Sequence, residues 1–416
     1  MTMAVDKQDK VLNVPILRFP EFKDEWEICK VGDYGKIITG STPPTSDNTN
    51  YAVGTHLWAS PVDLGQTKFV TDTQTKLSSI GFSKTRKLPI GSVLVTCIGS
   101  TIGKMGMAAT EMSTNQQINS IVVDSQYDNH FVYYALQSRF PRYLTSVAVQ
   151  AVPIMSKSSF EKLQNYRTTF KEQKKIGTLL NLIDERISTQ NRIIEDLKRE
   201  KKYLLEQLFC LPNERVPKLR LKGMTSDWQK VKLCDIAERV TERNKANTCN
   251  RVLTIAAQYG LIDQQEFFNK QIASSDLTNY YLLRKGDFAY NKSYSGDYSW
   301  GAVKRLDKYD EGVLSSLYIC LRPNEDVDSD FLCHYFESTK WYRGISEISG
   351  EGARNHGLLN MSVDDYFNTL HRIPTKQEQI IVADLLNAVT RKIDIETKLL
   401  ENLQKQKSFL LKEMFI

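Results

Sequence analysis

One segment of the chain is present twice, and it limits every fold that the rest can adopt. Met155–Cys210 recurs as Met361–Ile416 without a gap, at a constant offset of 206 residues. Thr169 falls on Thr375, Glu172-Gln173 on Glu378-Gln379, Leu179-Leu180-Asn181 on Leu385-Leu386-Asn387, and Phe209 on Phe415. In the first copy Ile176, Leu180, Ile183, Ile187, Gln190, Ile194, Leu197, Lys201, Leu204 and Leu208 step by four and three in turn. Val382, Leu386, Val389, Ile393, Glu396, Leu400, Leu403, Lys407, Leu410 and Met414 do the same in the second. Apolar residues at that period form a heptad seam, so each copy predicts one long helix. Thr169 with Glu172, and Thr375 with Glu378, have the spacing of capping boxes and mark both helix starts. A seam this long needs a partner, and each helix has one in the other copy, whose register it shares. Two unrelated surface helices are the alternative, but chance rarely repeats caps, seam and polar breaks together. The four polar seam residues, Gln190, Lys201, Glu396 and Lys407, either set the register of the pair or snorkel past it.

The duplication extends to whole halves. Val14-Pro15-Ile16-Leu17-Arg18-Phe19 followed by Trp26 is answered by Val216-Pro217-Lys218-Leu219-Arg220-Leu221 followed by Trp228. Between each opening and its long helix lies a mixed α/β module. Ser92–Thr96 and Ile118–Val123 read as strands and Phe131–Gln137 as a helix; Phe288–Tyr290, Leu317–Leu321 and Phe331–Glu337 take the same places in the second half. Pro212 stops the first long helix and marks the linker. The loops differ between the halves, which suggests two related tasks with different targets.

Bulk properties bound the function loosely. The chain has 416 residues, enough for two or three domains, and a net charge of +6 that permits a nucleic-acid partner without demanding one. Seven cysteines without a CxxC pair read as free thiols in a reducing compartment. No apolar run reaches membrane-spanning length and the first residues lack a signal-peptide core, so the expected location is cytoplasmic.

Catalytic motifs are tempting and incomplete. Gly99-Ser100-Thr101-Ile102-Gly103-Lys104-Met105 resembles a phosphate loop, but three residues separate its glycines and Met105 stands where a hydroxyl must hold magnesium; a tight turn is the better reading. Thr42-Pro43-Pro44-Thr45 lacks both the polar residue and the aromatic that an amino-methyltransferase places around its prolines. Glu172 and Glu200 with neighbouring lysines sit on helix faces, not in a nuclease pattern. The five histidines show no metal spacing. The expectation is a chain that catalyses nothing alone, with no catalytic, cofactor-binding or metal-binding residues.

The stretch ending in Arg372-Ile373-Pro374, then Glu378-Gln379 and Ile381–Leu386, is similar to the start of the long helix in specificity subunits of type I restriction–modification enzymes. The Pro-x-Leu-Arg openings at Pro15 and Pro217, each with its tryptophan, resemble the start of that family's target recognition domains, and Gly99–Lys104 resembles a turn frequent there. The likeness covers nearly the whole chain, with one local departure at Thr168, where the second copy has Pro374. It implies two pseudo-symmetric α/β (α+β) target recognition domains separated by two long antiparallel coiled-coil helices: a polar arm at 1–13, recognition domains at 14–168 and 212–374, and long helices at 169–211 and 375–416. Each domain would read one half of a bipartite double-stranded DNA site. The helices would set the spacer and dock two methyltransferase subunits, with restriction/motor subunits joining, and there would be no membrane contact. S-adenosylmethionine, ATP and Mg would serve those partners, not this chain. A stand-alone bivalent nucleic-acid-binding regulator is the alternative.

Within that reading, several loop residues are candidates for DNA contact. In the first module they are Thr39, Ser41, Thr42, Ser100, Thr101, Lys104, Asn115, Gln116, Gln117, Gln150 and Lys157. Gln116 and Gln117 are equally suited to capping the strand at Ile118. In the second module they are Asn291, Lys292, Tyr294 and Trp300, together with Arg354, Asn355 and His356 in a Gly-rich loop. Arg354 suits guanine and Asn355 adenine; a solvated loop is the alternative, as a half-buried aromatic is for Trp300.

Overall fold

The structure, a computed structural model, describes residues 13–147, 154–256, 260–268, 276–293, 298–349 and 359–416. Its contacts divide into two units: Met1–Ile193 with Thr397–Ile416, and Ile194–Glu396. The repeated segments form helices Phe170–Leu208 and Lys376–Glu413, so each unit holds part of both.

The first unit is built on a five-stranded sheet. Its strands are β1 (Gly35–Thr39), β2 (Phe69–Val70), β3 (Val93–Thr96), β4 (Met105–Ala108) and β5 (Ile118–Val123), in the order β1-β5-β3-β4-β2. The strands β3 and β4 are apolar and wholly buried, as a sheet covered on both faces requires. Helix Asn129–Val147 packs across them. The second unit has β6 (Ala237–Arg239), β7 (Phe288–Asn291), β8 (Ala302–Arg305) and β9 (Ile319–Pro323) in the order β6-β9-β7-β8, covered by helix Ser329–Glu337. The two orders superpose strand for strand, apart from the extra β2.

Each unit ties its ends in the same way. Strand Glu27–Lys30 pairs antiparallel with Gln164–Arg167 just before the first long helix. Gln229–Lys232 pairs with Leu370–Ile373 just before the second. The glutamates at both helix starts are buried, and here the structure corrects the sequence reading. Thr169 Oγ1 does accept from the Glu172 backbone at 3.4 Å, but the Glu172 carboxylate does not return the bond. It takes a bidentate pair from Arg18 instead, at 2.7 and 2.8 Å. Glu378 takes Arg220 at 2.9 and 2.8 Å and the Trp228 indole at 3.1 Å. The repeated Pro-x-Leu-Arg opening thus exists to neutralise the repeated glutamate.

The neighbouring glutamines are used alike. Gln173 Oε1 accepts from the Asp128 backbone, and the Asp128 carboxylate caps helix Asn129–Val147 at Phe131. Gln379, Asp328 and Phe331 repeat both bonds in the second unit. Gly177 lets the first module press close: a Cβ there would sit 2.4 Å from Asp128 Oδ1. Its counterpart Ala383 is buried in the other unit.

All the seam positions are buried or half-buried. In the first unit Ile176 and Leu180 share one core with Met414 and Phe415 of the returning helix and with Trp26 and Phe131 of the module. In the second, Leu205 and Leu208 join Val382, Leu386, Trp228 and Phe331. Antiparallel packing follows within each unit, since the start of one long helix meets the end of the other. The helix ends are therefore seated in module cores as well as against each other. The polar seam residues are not bare: Lys407 pairs with Asp184 at 2.7 Å and Lys201 with Glu337 at 2.8 Å. Gln190 and Glu396 are buried.

Removing one partner of a buried ion pair strands the other charge, at a cost of roughly 3 kcal/mol or more. The Glu378 side chain is only 4% exposed. Arg220→Met is expected to destabilise the chain by on the order of 3 kcal/mol in denaturant unfolding. Arg343→Met, which breaks an exposed pair with Glu347, should cost less than about 1 kcal/mol.

Candidate nucleic-acid interface

The first-module candidates converge on one end of the sheet. Thr39 closes β1 opposite Asn119, Thr96 closes β3 opposite Ile118, and Met105 opens β4 opposite Val95. The loops at that end carry Thr39, Ser41, Thr42, Ser100, Thr101, Lys104, Asn115, Gln116 and Gln117. They form a connected polar rim. Thr39 Oγ1 donates to Asn119 Oδ1 at 2.7 Å, and Thr42 Oγ1 donates to Gln116 Oε1. Asn115 is buried and exchanges two bonds with Gln117, at 2.9 and 3.0 Å. It is a scaffold for Gln116 and Gln117 and does not face solvent; Thr42, Gln116 and Ser100 do.

Gly99–Gly103 is a tight turn between β3 and β4. Gly99 and Gly103 have φ of +98° and +92°, and a Cβ at Gly103 would meet the Phe140 ring at 2.8 Å. Glycine is required on both counts. Lys157 opens a short helix and pairs with Glu161 at 3.5 Å. The segment before it runs beside the same turn, with Met155 N donating to Cys97 O at 2.8 Å. Gln150 lies outside the described residues.

The second-module candidates occupy the equivalent end. Asn291 closes β7 opposite Ala302, and Ile319 opens β9 opposite Tyr290. Asn291 and Lys292 are half-buried, and Asn291 Oδ1 accepts from Ser293 N at 3.0 Å. Trp300 packs against the main core and its carbonyl accepts from Tyr290 OH at 2.8 Å, which is the half-buried position left open by the sequence. Tyr294, Arg354, Asn355 and His356 lie outside the described residues.

One residue escaped the sequence reading. Exposed Arg86 reaches the same rim, with its backbone N–H on Ser41 Oγ at 3.1 Å and Nη1 on Thr39 O at 2.7 Å. The basic run Lys84-Thr85-Arg86-Lys87 was its signal. A rim of amides, hydroxyls and a cation offers both donors and acceptors to base edges and phosphates. Among the described residues no three His, Cys, Asp or Glu side chains could together hold a metal ion. Nor is any described helix long and apolar enough to cross a membrane.

Behind the rim, Lys68 is buried in a polar network. Its ammonium donates to His130 Nδ1 at 2.6 Å, Asn181 Oδ1 at 2.7 Å and Tyr134 OH at 3.0 Å. Tyr134 in turn donates to Asp184 at 2.6 Å. Three acceptors answer three N–H groups, yet none is a carboxylate. Burial outweighs the more distant Asp184 and brings the Lys68 pKa down to about 7. This network joins the module to both long helices within the first unit.

A family model described as "Type I restriction modification DNA specificity domain" matches residues 23–199. The HindI specificity subunit of Haemophilus influenzae is 33% identical over 144 residues, covering 33% of this chain and 31% of that protein. The MjaVIII specificity subunit of Methanocaldococcus jannaschii is 23% identical over 432 aligned positions, covering 97% and 95%. In fold, the chain is similar to a solved type I restriction–modification S subunit from M. genitalium, with a TM-score of 0.58, 16% identity and coverage of 97% and 99%. A chain solved in a study of type I complex assembly gives a TM-score of 0.54 at 12% identity, with 94% and 97% covered.

Because folding lowers the Lys68 pKa below its unfolded value, the unfolded chain keeps a proton that the folded chain releases. Stability tied to Lys68 should therefore rise with pH from about 7 to about 10.5. The melting temperature of the native chain is expected to gain on that of Lys68→Met across this window; a constant difference would contradict the assignment.

Proposed function

We propose that the chain is a DNA specificity subunit of the type I restriction–modification family, a reading that the family-model match and the curated relatives support, and that its two units divide the work. Each reads one half of a bipartite double-stranded site through the loops at one end of its sheet. One observation carries the proposal: the two sheets share strand order, and the candidate residues fall at the same end of each. Like frames with unlike loops suit two half-sites of different sequence.

The two long helices act as the spacer. An apolar seam of ~33 residues, Ile176 to Leu208, is roughly 50 Å of helix and exceeds one DNA turn of about 34 Å. Two modules on such a pair can address successive major grooves. The internal repeat suits two like methyltransferase subunits docked about a pseudo-twofold axis. Restriction/motor subunits complete the complex. The chain itself contributes base readout and no reaction step. S-adenosylmethionine, ATP and Mg belong to the partners, and the assembly works in the cytoplasm, where the DNA is.

Co-expression with the host's candidate adenine methyltransferase, followed by genome-wide mapping of methylated bases, tests this. The expected result is a split motif with a fixed gap that disappears when this chain is deleted. Gln116→Ala should relax one half of the motif and Asn291→Ala the other. Methylation that never depends on this chain, with tight binding by the chain alone, would favour the stand-alone regulator.

A further inference from the structure

Each unit has a groove between its module and the long helix that ends there, and the helix residues lining the two grooves correspond. In the second unit the groove has a volume of about 220 Å³ and is lined by Lys198, Lys201, Lys202, Leu205, Tyr298, Lys304 and Glu337. In the first the groove is larger, about 1310 Å³, and its lining includes Gln404, Lys407, Ser408 and Leu411. These four stand 206 residues after Lys198, Lys201, Lys202 and Leu205. Gln137, also in the lining, takes the place of Glu337 on the equivalent helix. So on the helix face Lys198 and Lys202 of one groove are exchanged for neutral Gln404 and Ser408 in the other, whose own cations, Lys68, Lys104, Arg192 and Lys407, share the lining with Asp184 and Glu185.

The surplus charge is available. Lys201 is held by Glu337, whose carboxyl is brought to about 2 by its bonds to His334 and Lys201 in spite of its burial. Lys198 makes only an exposed pair with Glu195. Among the described residues Lys202 and Lys304 face no carboxylate partner; the Lys304 ammonium lies 5.6 Å from the Tyr298 ring centre. Elsewhere in the same unit lysines do find acids, as Lys340 finds Glu206 and Lys392 finds Glu396. Four lysines from the helix and from β8 therefore face one small groove containing one glutamate. That groove adjoins the candidate reading loop, since Tyr298 lies in the β7–β8 connection and Lys304 in β8 itself.

We propose that the second-unit groove is a polyanion site that grips the phosphodiester backbone of the bound duplex, through helix lysines whose places Gln404 and Ser408 take in the first unit. This rests on the chain's role as a DNA-reading subunit. Lysines are point charges with freely turning donors, which suits phosphate oxygens without demanding a base sequence. The consequence is local: the helix edge of the second groove supplies salt-dependent affinity that Gln404 and Ser408 do not supply in the first. Each phosphate neutralised contributes about 0.9 to the slope of log affinity against log salt.

The test uses the assembled methyltransferase complex and a duplex carrying its mapped split motif, titrated between about 50 and 200 mM salt. The double variant Lys202→Gln/Lys304→Gln should flatten the salt slope by about 2 and leave the methylated motif unchanged. The reciprocal variant Gln404→Lys/Ser408→Lys should steepen it, and this gain does not depend on the first variant's stability. Unchanged slopes in both would overturn the proposal. Loss of methyltransferase co-purification from the Lys202/Lys304 variant would also overturn it, in favour of an acidic protein partner. A native complex that binds no duplex would sink the role as a DNA-reading subunit itself, an outcome distinct from either.

Discussion

A helix with an apolar stripe along its whole length has no stable existence in water by itself. Here two such stripes, offset by 206 residues, are buried within each unit by packing the start of one helix against the end of the other and both against a module core. Everything else in the chain is placed by that arrangement. Each unit contains the start of one long helix and the end of the other, so the first unit is assembled from two separate stretches of sequence while the second is the single stretch Ile194–Glu396. The N-terminal half needs the last residues of the chain: Arg139 bonds the Ile416 carbonyl at 2.5 Å and Trp26 packs on Phe415.

The buried glutamates at the two helix starts secure this arrangement. Glu172 and Glu378 sit at the positive ends of their helices, where a carboxylate is favoured, but their burial demands more than a dipole. Arg18 and Arg220 provide it, and in doing so bring the first segment of each module onto its helix. With that joint fixed, the sheet can be identical in strand order while its loops vary freely. The rim of Thr39, Thr42 and Gln116 in one unit and the Asn291–Trp300 connection in the other are such loops.

The sequence was most legible where periodicity or repetition carried the signal. Strand Ile118–Val123 and both long helices lie where the pattern put them, and the Gly99–Gly103 segment is the tight turn that its failed phosphate-loop spacing implied. Contacts between distant residues were not legible. The capping-box spacing was present at Thr169 and Thr375, yet the Glu172 and Glu378 carboxylates went to arginines more than 150 residues earlier in the chain. The Lys68 network was invisible for the same reason: its members lie on a strand edge, a module helix and two long helices. At the rim Thr42 and Gln116 face solvent, but residue type could not separate them from Asn115, which is buried support. Arg86 carries no pattern that separates it from a solvated basic run.

The role proposed for the helix pair is that of a ruler between two readers, and its length can be changed without touching either. Seven residues inserted at matching points in both long helices preserve the heptad and add roughly 10 Å to each. Mapping the methylated motif of this variant then reads the ruler directly. The account predicts a gap longer by about 3 base pairs, with both half-site sequences unchanged. An unchanged gap, or altered half-sites, would contradict it.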